Sequence, residues 1–251
     1  MAFSPDELER YARHIVLREI GGPGQAKLKA ARVAVVGAGG LGCPALVYLA
    51  AAGCGHITVI DDDTVSLSNL QRQVLFAPED IGAPKAERAA AALSRLNPEI
   101  TVRAAPVRLD ATRGRELLAE HDLVLDGTDG FTTRYLINDL AVGARQPLLS
   151  AAMTQWEGQI SIYAPHLGHP CYACVFPEAP AAGLAPTCAE AGIVGALAGV
   201  MGTMMAVEAV KWITGAGESL AGTLLLYDAL YADVRRVRVA RDPSCPVCGA
   251  A

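Results

Sequence analysis

The stretch Arg32-Val33-Ala34-Val35-Val36-Gly37-Ala38-Gly39-Gly40-Leu41-Gly42, closed by Val59-Ile60-Asp61, decides how the rest of the chain is read. A short β-branched run feeds a glycine turn, and the turn opens an alanine-rich stretch of helical character, Pro44 to Ala52. Gly37, Gly39 and Gly42 fit G-x-G-x-x-G between a strand and a helix, the context that gives the pattern meaning. The first glycine permits a tight turn, the second lets backbone N–H groups approach phosphate oxygens, and the third lets helix pack close to strand. The partial positive charge of the helix N-terminus then faces the phosphates. Asp61 ends the next strand, where a carboxylate accepts hydrogen bonds from ribose hydroxyls. The stretch predicts a nucleotide site. A glycine turn with no ligand would leave Asp61 unexplained.

Composition narrows the class. A chain of 251 residues makes one large domain or two small ones, and 52% hydrophobic residues suffice for a sizeable core. A net charge of −5 without a dense Lys/Arg run argues against a nucleic-acid partner. Met1 to Glu7 lacks the charged-then-apolar pattern of a signal peptide. The most apolar helical stretch, Gly192 to Val207, carries four glycines and is followed at once by Glu208 and Lys211, so it reads as a buried helix and not a membrane span. Seven cysteines in a chain without an export signal read as thiols or metal ligands. A cytoplasmic protein without a membrane partner is expected.

Ser4-Pro5-Asp6-Glu7 is a capping box with proline at the first helical position, so a helix should start there, run to about Glu19 and stop at Gly21-Gly22. Its Arg10, Arg13 and Arg18 cannot all face one core. They form a solvated basic face, or one of them reaches a phosphate. From Arg32 strands and helices alternate: strand Arg32–Val36, helix Pro44–Ala52, strand His56–Ile60, helix Ala86–Leu96, strand Ile100–Ala104. Helix Arg113–Glu120, strand Asp122–Asp126, helix Thr132–Ala144 and strand Pro147–Ser150 follow. This predicts an α/β fold, a Rossmann-like, mainly parallel sheet with helices on both faces. Ligands of such sheets bind outside the carboxyl ends of the strands, which here carry Gly37, Asp61 and Asp126 to Asp129. After Ser150 the pattern changes to antiparallel strands, Gln159–Tyr163, Thr223–Tyr227 and Val234–Val239, with a proline- and alanine-rich mobile loop, Pro177 to Pro186, and a long helix, Gly192–Ile213.

Three further motifs carry chemistry. Cys171-Tyr172-Ala173-Cys174 and Cys245-Pro246-Val247-Cys248 are two C-x-x-C knuckles. Four thiolates fill a tetrahedral zinc site and leave no open position, so the site should be a structural staple joining the tail to the middle of the chain. A redox role for one knuckle fits less well, since thioredoxin-like motifs sit before a helix in a different pattern. The loop Asp61 to Gln73 is polar and bears Arg72, suited to a bidentate grip on phosphate, and Lys85 follows Pro84 at the start of the next helix. Surface salt bridges are the alternative for each. Asp126-Gly127-Thr128-Asp129 brings two carboxylates to a strand end, where both could hold Mg2+, or Asp126 could cap the following helix and leave the metal to Asp129. No G-x-x-x-x-G-K-[ST] pattern is present, which excludes a P-loop ATPase.

Taken together and in this order, Gly37 to Gly42, Ser68-Asn69-Leu70-Gln71-Arg72-Gln73, Pro84-Lys85, the Asp-x-Thr-Asp at 126 to 129 and both knuckles resemble the MoeB/ThiF/HesA adenylyltransferases, relatives of the ubiquitin-activating enzymes. The resemblance runs from Arg10-Tyr11-Ala12-Arg13 to Cys248. It implies ATP-dependent adenylylation of the C-terminal glycine carboxylate of a ubiquitin-like sulfur carrier ending in Gly-Gly, with release of pyrophosphate, as the step before thiocarboxylate formation in molybdopterin or thiamine synthesis. Asp61 would hold the ribose, Gly40 would line the pocket, Asn69, Arg72 and Lys85 would contact the phosphates, and Asp129 would bind Mg2+. Gly37, Gly39, Gly42, Asp63, Ser68, Leu70, Gln71 and Gly130 would complete the ATP site. Arg13 resembles the arginine that the family contributes from the opposite subunit, which implies a homodimer. The implied organisation is a single adenylyltransferase domain, with an N-terminal helical arm at 1–31, a nucleotide-binding half at 32–152 and a carrier-binding and zinc half at 153–251. No rhodanese-like extension follows Ala251, so the sulfur donor is expected to be a separate protein.

Two residues depart from the family's usual Asp-Cys-Thr-Asp-Asn, namely Gly127 and Gly130. An asparagine amide beside Asp129 is lost, while the metal ligand is kept. Cys188 ends the proline-rich loop just before a helix; in ThiF-like relatives a cysteine in the matching place joins covalently to the carrier, and a buried structural cysteine is the other reading. Cys43 and Cys54 read as core, and His56, His166 and His169 as solvated or capping residues. The competing functions are a nicotinamide-dependent oxidoreductase, which has no use for the arginine loop after Asp61, a non-catalytic carrier-binding scaffold and, within the family, a tRNA-modifying cyclase.

Overall fold

A computed structural model of the chain describes residues 3–180 and 191–249. The sheet grows outward from β1 (Arg32–Val36), which pairs in parallel with β2 (His56–Ile60) on one side and with β4 (Leu123–Asp126) on the other. With β3 (Thr101–Ala105), β5 (Leu148–Thr154), β6 (Glu157–Tyr163), β7 (Thr223–Asp228) and β8 (Asp233–Arg238) the order is β3-β2-β1-β4-β5-β6-β7-β8 in one sheet. It is parallel through β5 and antiparallel from β6 onward, the mixed α/β architecture expected of the chain. β5 runs four residues beyond the expected end at Ser150, because β6 folds straight back on it, with Thr154 opposite Glu157. The last strand, β8, presents Arg235, Arg236 and Arg238 along an exposed edge, and such charges discourage further strand pairing.

Alternation along β1 divides the core. Val33 and Val35 face one side, with α3 (Gly42–Ala51) and α4 (Lys85–Leu96); Ala34 and Val36 face the other, with α5 (Ala111–Leu118) and α6 (Phe131–Gly143). A one-turn helix, α7 (Tyr172–Val175), joins the second face through the buried Tyr172. The long apolar helix is α8 (Gly195–Thr214), and it begins three residues later than its sequence suggests because Gly192 takes φ +77 and turns the chain. Among the described residues α8 is the one helix long and apolar enough to cross a membrane, yet Leu197, Ala198, Met201, Met205 and Ala209 are buried in the first core, beneath β5 and β6.

The N-terminal arm differs from expectation. The capping box forms, with Ser4 Oγ accepting from the Glu7 N–H at 3.1 Å and Glu7 Oε2 from the Ser4 N–H at 2.7 Å. However, α1 (Pro5–Ile15) stops well short of Glu19, and α2 (Gly21–Ala30) begins where the glycine pair signals a break. Gly21 at φ +59 makes the corner, and Pro23 sits in the first turn, where its missing N–H costs nothing. Burial then holds α2, through Leu28 and through Gln25, whose Nε2 donates to the Ala52 carbonyl at 2.8 Å.

α3 follows β1 onto one face and α6 follows β4 onto the other, so a crevice opens where the two strand ends part. Backbone is packed on backbone there. A Cβ on Gly42 would lie 1.8 Å from the Gly37 carbonyl oxygen, and one on Gly37, which has φ +92, would lie 2.9 Å from the carbonyl oxygen of Gly127. The Gly42→Ala chain is therefore expected to lose about 3 kcal/mol of stability, since no flexible side chain can yield. Urea unfolding of the two proteins measures this.

Candidate active site

The crevice is a cavity of about 780 Å3, and three strand-end loops meet in it as the sequence suggests. The glycine loop supplies Gly37, Gly39 and Gly40 to its wall; Gly42 stands behind, closing helix on strand. Asp61 follows β2 and is held from both sides, one oxygen accepting from the Ala38 N–H at 2.7 Å and the other from the Asp63 N–H at 2.9 Å. Burial pushes its carboxyl above the ordinary value, against the pull of those two amides and of Lys85. Lys85 is buried on the first turn of α4 and its Nζ lies 2.9 Å from Oδ2 of Asp63, which is exposed. Arg72 lies on the wall, steadied by the Ser68 carbonyl at 3.0 Å.

The third loop is built around Asp126, which is fully buried. One oxygen accepts from the Thr128 N–H (3.0 Å) and hydroxyl (2.6 Å); the other accepts from the Ser150 hydroxyl at 2.7 Å and lies 3.5 Å from Nε of Arg134. Asp126 is buried within its own loop and does not line the cavity, and the N-cap of α6 is Gly130, so Asp126 does not cap that helix. Asp129, three residues further, is exposed on the cavity wall and remains the metal-ligand candidate, with Gly130 beside it.

The remaining nominated residues lie elsewhere. Ser68, Asn69, Leu70 and Gln71 do not line the cavity; the Asn69 Oδ1 accepts from the Ser66 N–H at 3.1 Å and shapes the loop that carries Arg72. Arg13 is exposed on α1 and is also off the wall. Cys188 lies outside the described residues, as does much of the Pro177 to Pro186 loop. Cys43 and Cys54 are core residues as expected, with thiols pushed up to about 12 by burial.

Two wall residues went unread. Gln73 closes the quoted Ser68 to Gln73 motif and is 4% exposed, with its Oε1 unpartnered among the described residues. Arg134 sits on the inner face of α6, where a single charged position in a helix gives no signal by itself.

The four knuckle thiols converge. Sγ separations are 3.8 Å for Cys171–Cys174, 3.7 Å for Cys171–Cys245 and 3.4 Å for Cys174–Cys248, and all four lie within 4.8 Å of one another. A tetrahedral ion with Zn–S bonds of about 2.3 Å sets its ligands roughly 3.8 Å apart, so the cluster fits. Amide groups already point at the sulfurs, the Asp242 N–H at Cys174 (3.4 Å) and the Asn138 Nδ2 at Cys171 (3.9 Å).

The ThiF family model matches residues 11–247. The chain belongs to the ThiF family. It is 49% identical to the sulfur carrier protein adenylyltransferase of Thermus thermophilus, over 99% of this chain and 93% of that protein. It is 45% identical to the molybdopterin-synthase adenylyltransferase of Escherichia coli, over 98% of each. The solved structure of Escherichia coli MccB with ATP superimposes with a TM-score of 0.83 at 26% identity, covering 96% of this chain and 73% of that one.

Within this ThiF-family chain Gly130 is an uncapped N-cap in extended conformation, φ −98 and ψ 126, and a Cβ there would meet nothing closer than the Thr133 hydroxyl at 3.8 Å. Gly130→Asn should therefore stabilise the protein by about 0.3 kcal/mol through the cap, raising the thermal midpoint by about 1 °C. Calorimetry of the two chains checks it.

Proposed function

We propose that this chain uses MgATP to adenylylate the C-terminal glycine carboxylate of a ubiquitin-like sulfur carrier ending in Gly-Gly, of the MoaD or ThiS type, in molybdopterin or thiamine synthesis. The observation that carries the reading is the convergence of Asp61, Arg72, Lys85 and Asp129 on one glycine-lined cavity. That cavity continues along β5 to β7, past Met153, Gly158 and Leu226 to Arg235, and this arm would take the carrier's tail. The proposed halves, 32–152 for nucleotide and 153–251 for carrier and zinc, meet in it.

The chemistry requires positioning and charge neutralisation more than a base, since a carboxylate is already a nucleophile. A carrier carboxylate oxygen attacks the α-phosphorus and the bond to pyrophosphate breaks, leaving an acyl adenylate. Asp61 accepts from the ribose hydroxyls, and the glycine loop brings N–H groups to the phosphates. Lys85 and Arg72 balance the charge that grows on pyrophosphate. Asp129 would hold Mg2+, which would supply positive charge beside the phosphates. Arg13, which does not line its own cavity, would enter that of a second copy in a homodimer. Zinc on Cys171, Cys174, Cys245 and Cys248 would hold the tail in place, at about one ion per chain. A separate sulfur donor would displace AMP, and the setting would be the cytoplasm. Arg72 and Lys85 have no task in hydride transfer, which disfavours a nicotinamide enzyme.

Pyrophosphate exchange with MgATP and a panel of carriers ending in Gly-Gly tests the reading. Exchange should appear with one carrier, vanish in Asp129→Ala, and fall by about 10²- to 10³-fold in Lys85→Ala. Silence with every carrier, in protein that binds ATP, would leave the scaffold reading. The pH dependence has a definite sign. The Asp61 pKa is raised, so its carboxylate, the form that accepts from ribose, is lost as pH falls through a value above the usual 3.8. ATP affinity should weaken over that interval, and Asp61→Asn should weaken it about 10-fold or more and flatten the profile.

A further inference from the structure

Tyr172 belongs both to a cysteine knuckle and to the wall of the nucleotide cavity. Tyr172 stands between Cys171 and Cys174, is 2% exposed, and reaches the cavity wall with its ring. Its backbone N–H donates to Oδ1 of Asn138 at 2.8 Å, on α6, and the same Asn138 side chain meets Cys171 Sγ. The ring is wedged edge-on against Tyr135 and Tyr163, with centroids 5.3 and 5.6 Å away, and tilted against Phe176 at 4.9 Å. It has little freedom to move apart from the knuckle that carries it.

The guanidinium of Arg134 lies 5.9 Å from the centre of that ring. Its donors go to the nucleotide loop and to β5: Nη2 to the Thr128 carbonyl (2.6 Å), Nη1 to the Ala151 carbonyl (3.0 Å) and the Ser150 hydroxyl (3.3 Å). Thr128 directly precedes Asp129. An unbroken set of contacts thus joins the sulfurs to the metal-ligand candidate of the ATP site.

We propose that Tyr172 is a positioning residue for the nucleotide site: the ion that clamps the knuckle fixes the ring, the ring fixes Arg134, and Arg134 holds the 126–129 loop so that Asp129 faces the phosphates. This rests on reading the cavity as the ATP site and the cluster as a zinc site. α7 is a single turn and cannot hold itself in place, so its position depends on the clamp together with the Asn138 bond and the packed rings. Free energy linked between two sites is reciprocal, so zinc should tighten ATP binding by the factor by which ATP tightens zinc.

The test measures ATP affinity calorimetrically in the full chain, zinc-loaded and chelator-stripped, for wild type, Tyr172→Phe and Tyr172→Leu, with circular dichroism to verify that each stripped protein stays folded. Stripping should weaken ATP binding about tenfold in wild type and in Tyr172→Phe, which keeps the ring, and less than twofold in Tyr172→Leu. A second arm needs no stripped protein: saturating ATP should slow zinc release to a chromogenic chelator in wild type and not in Tyr172→Leu. Equal weakening in wild type and Tyr172→Leu, or zinc release indifferent to ATP in wild type, would overturn the proposal. Loaded wild type that binds no ATP would overturn the reading of the cavity itself.

Discussion

Everything in this chain depends on how closely two backbones approach where β1 and β4 end. The Gly37 N–H donates to the Ile60 carbonyl at 2.8 Å and the Gly127 N–H to the Val36 carbonyl at 2.9 Å, so three strand ends are tied in one plane. A Cβ on Gly127 would lie 3.1 Å from the Gly42 nitrogen, and one on Gly42 would lie inside the Gly37 carbonyl. Removing side chains there sets α3 directly on β1. Gly127, which departs from the family's cysteine, is thus the least crowded choice at a crowded place.

Just beyond lies the buried pair Asp126–Arg134. Withdrawing both charges from water is costly, and their attraction alone does not reliably offset that cost. What makes it tenable is saturation: Asp126 accepts from Thr128 and Ser150, and Arg134 donates to two carbonyls and a hydroxyl. A pair so fully engaged contributes little net stability but fixes geometry, because removing either partner would strand the other at about 3–5 kcal/mol. The loop that presents Asp129 is specified by that threat more than by any gain.

The sequence showed the parts of this arrangement that are local in the chain. β-branched runs placed β1 and β2 to the residue, and the glycine spacing placed the turn between them. Paired knuckles announced a cluster whose thiols do meet. What stayed hidden depends on contacts distant in sequence. α2 was missed because Gly-Gly-Pro is strong local punctuation, overridden by the burial of Leu28 and Gln25. Asp126 and Asp129 look alike in the chain; only the pairing of β4 with β5, which sets Asp126 opposite Ser150, turns the first inward and leaves the second in solvent. At Asn69 the motif is legible, while the bond its side-chain carbonyl accepts from the Ser66 N–H is not.

The pairing of Lys85 with Asp63 shows how the cavity can hold a cation ready. The lysine side chain is 7% exposed and the aspartate 70%, so the cost of burial falls on the ammonium while its counter-charge remains hydrated. Burying an ammonium without a partner is costly. With Asp63 at 2.9 Å it has a partner anchored by its own backbone, since the Lys85 N–H also donates to the Asp63 carbonyl at 2.9 Å. A solvated carboxylate is a weak competitor, because its attraction is screened and its loss to water costs little. On the proposed reading a phosphate on the glycine loop would therefore take Lys85 from Asp63, and the cation would meet its ligand already desolvated and already in position. In the proposed reaction that is the moment at which charge on the departing pyrophosphate most needs it.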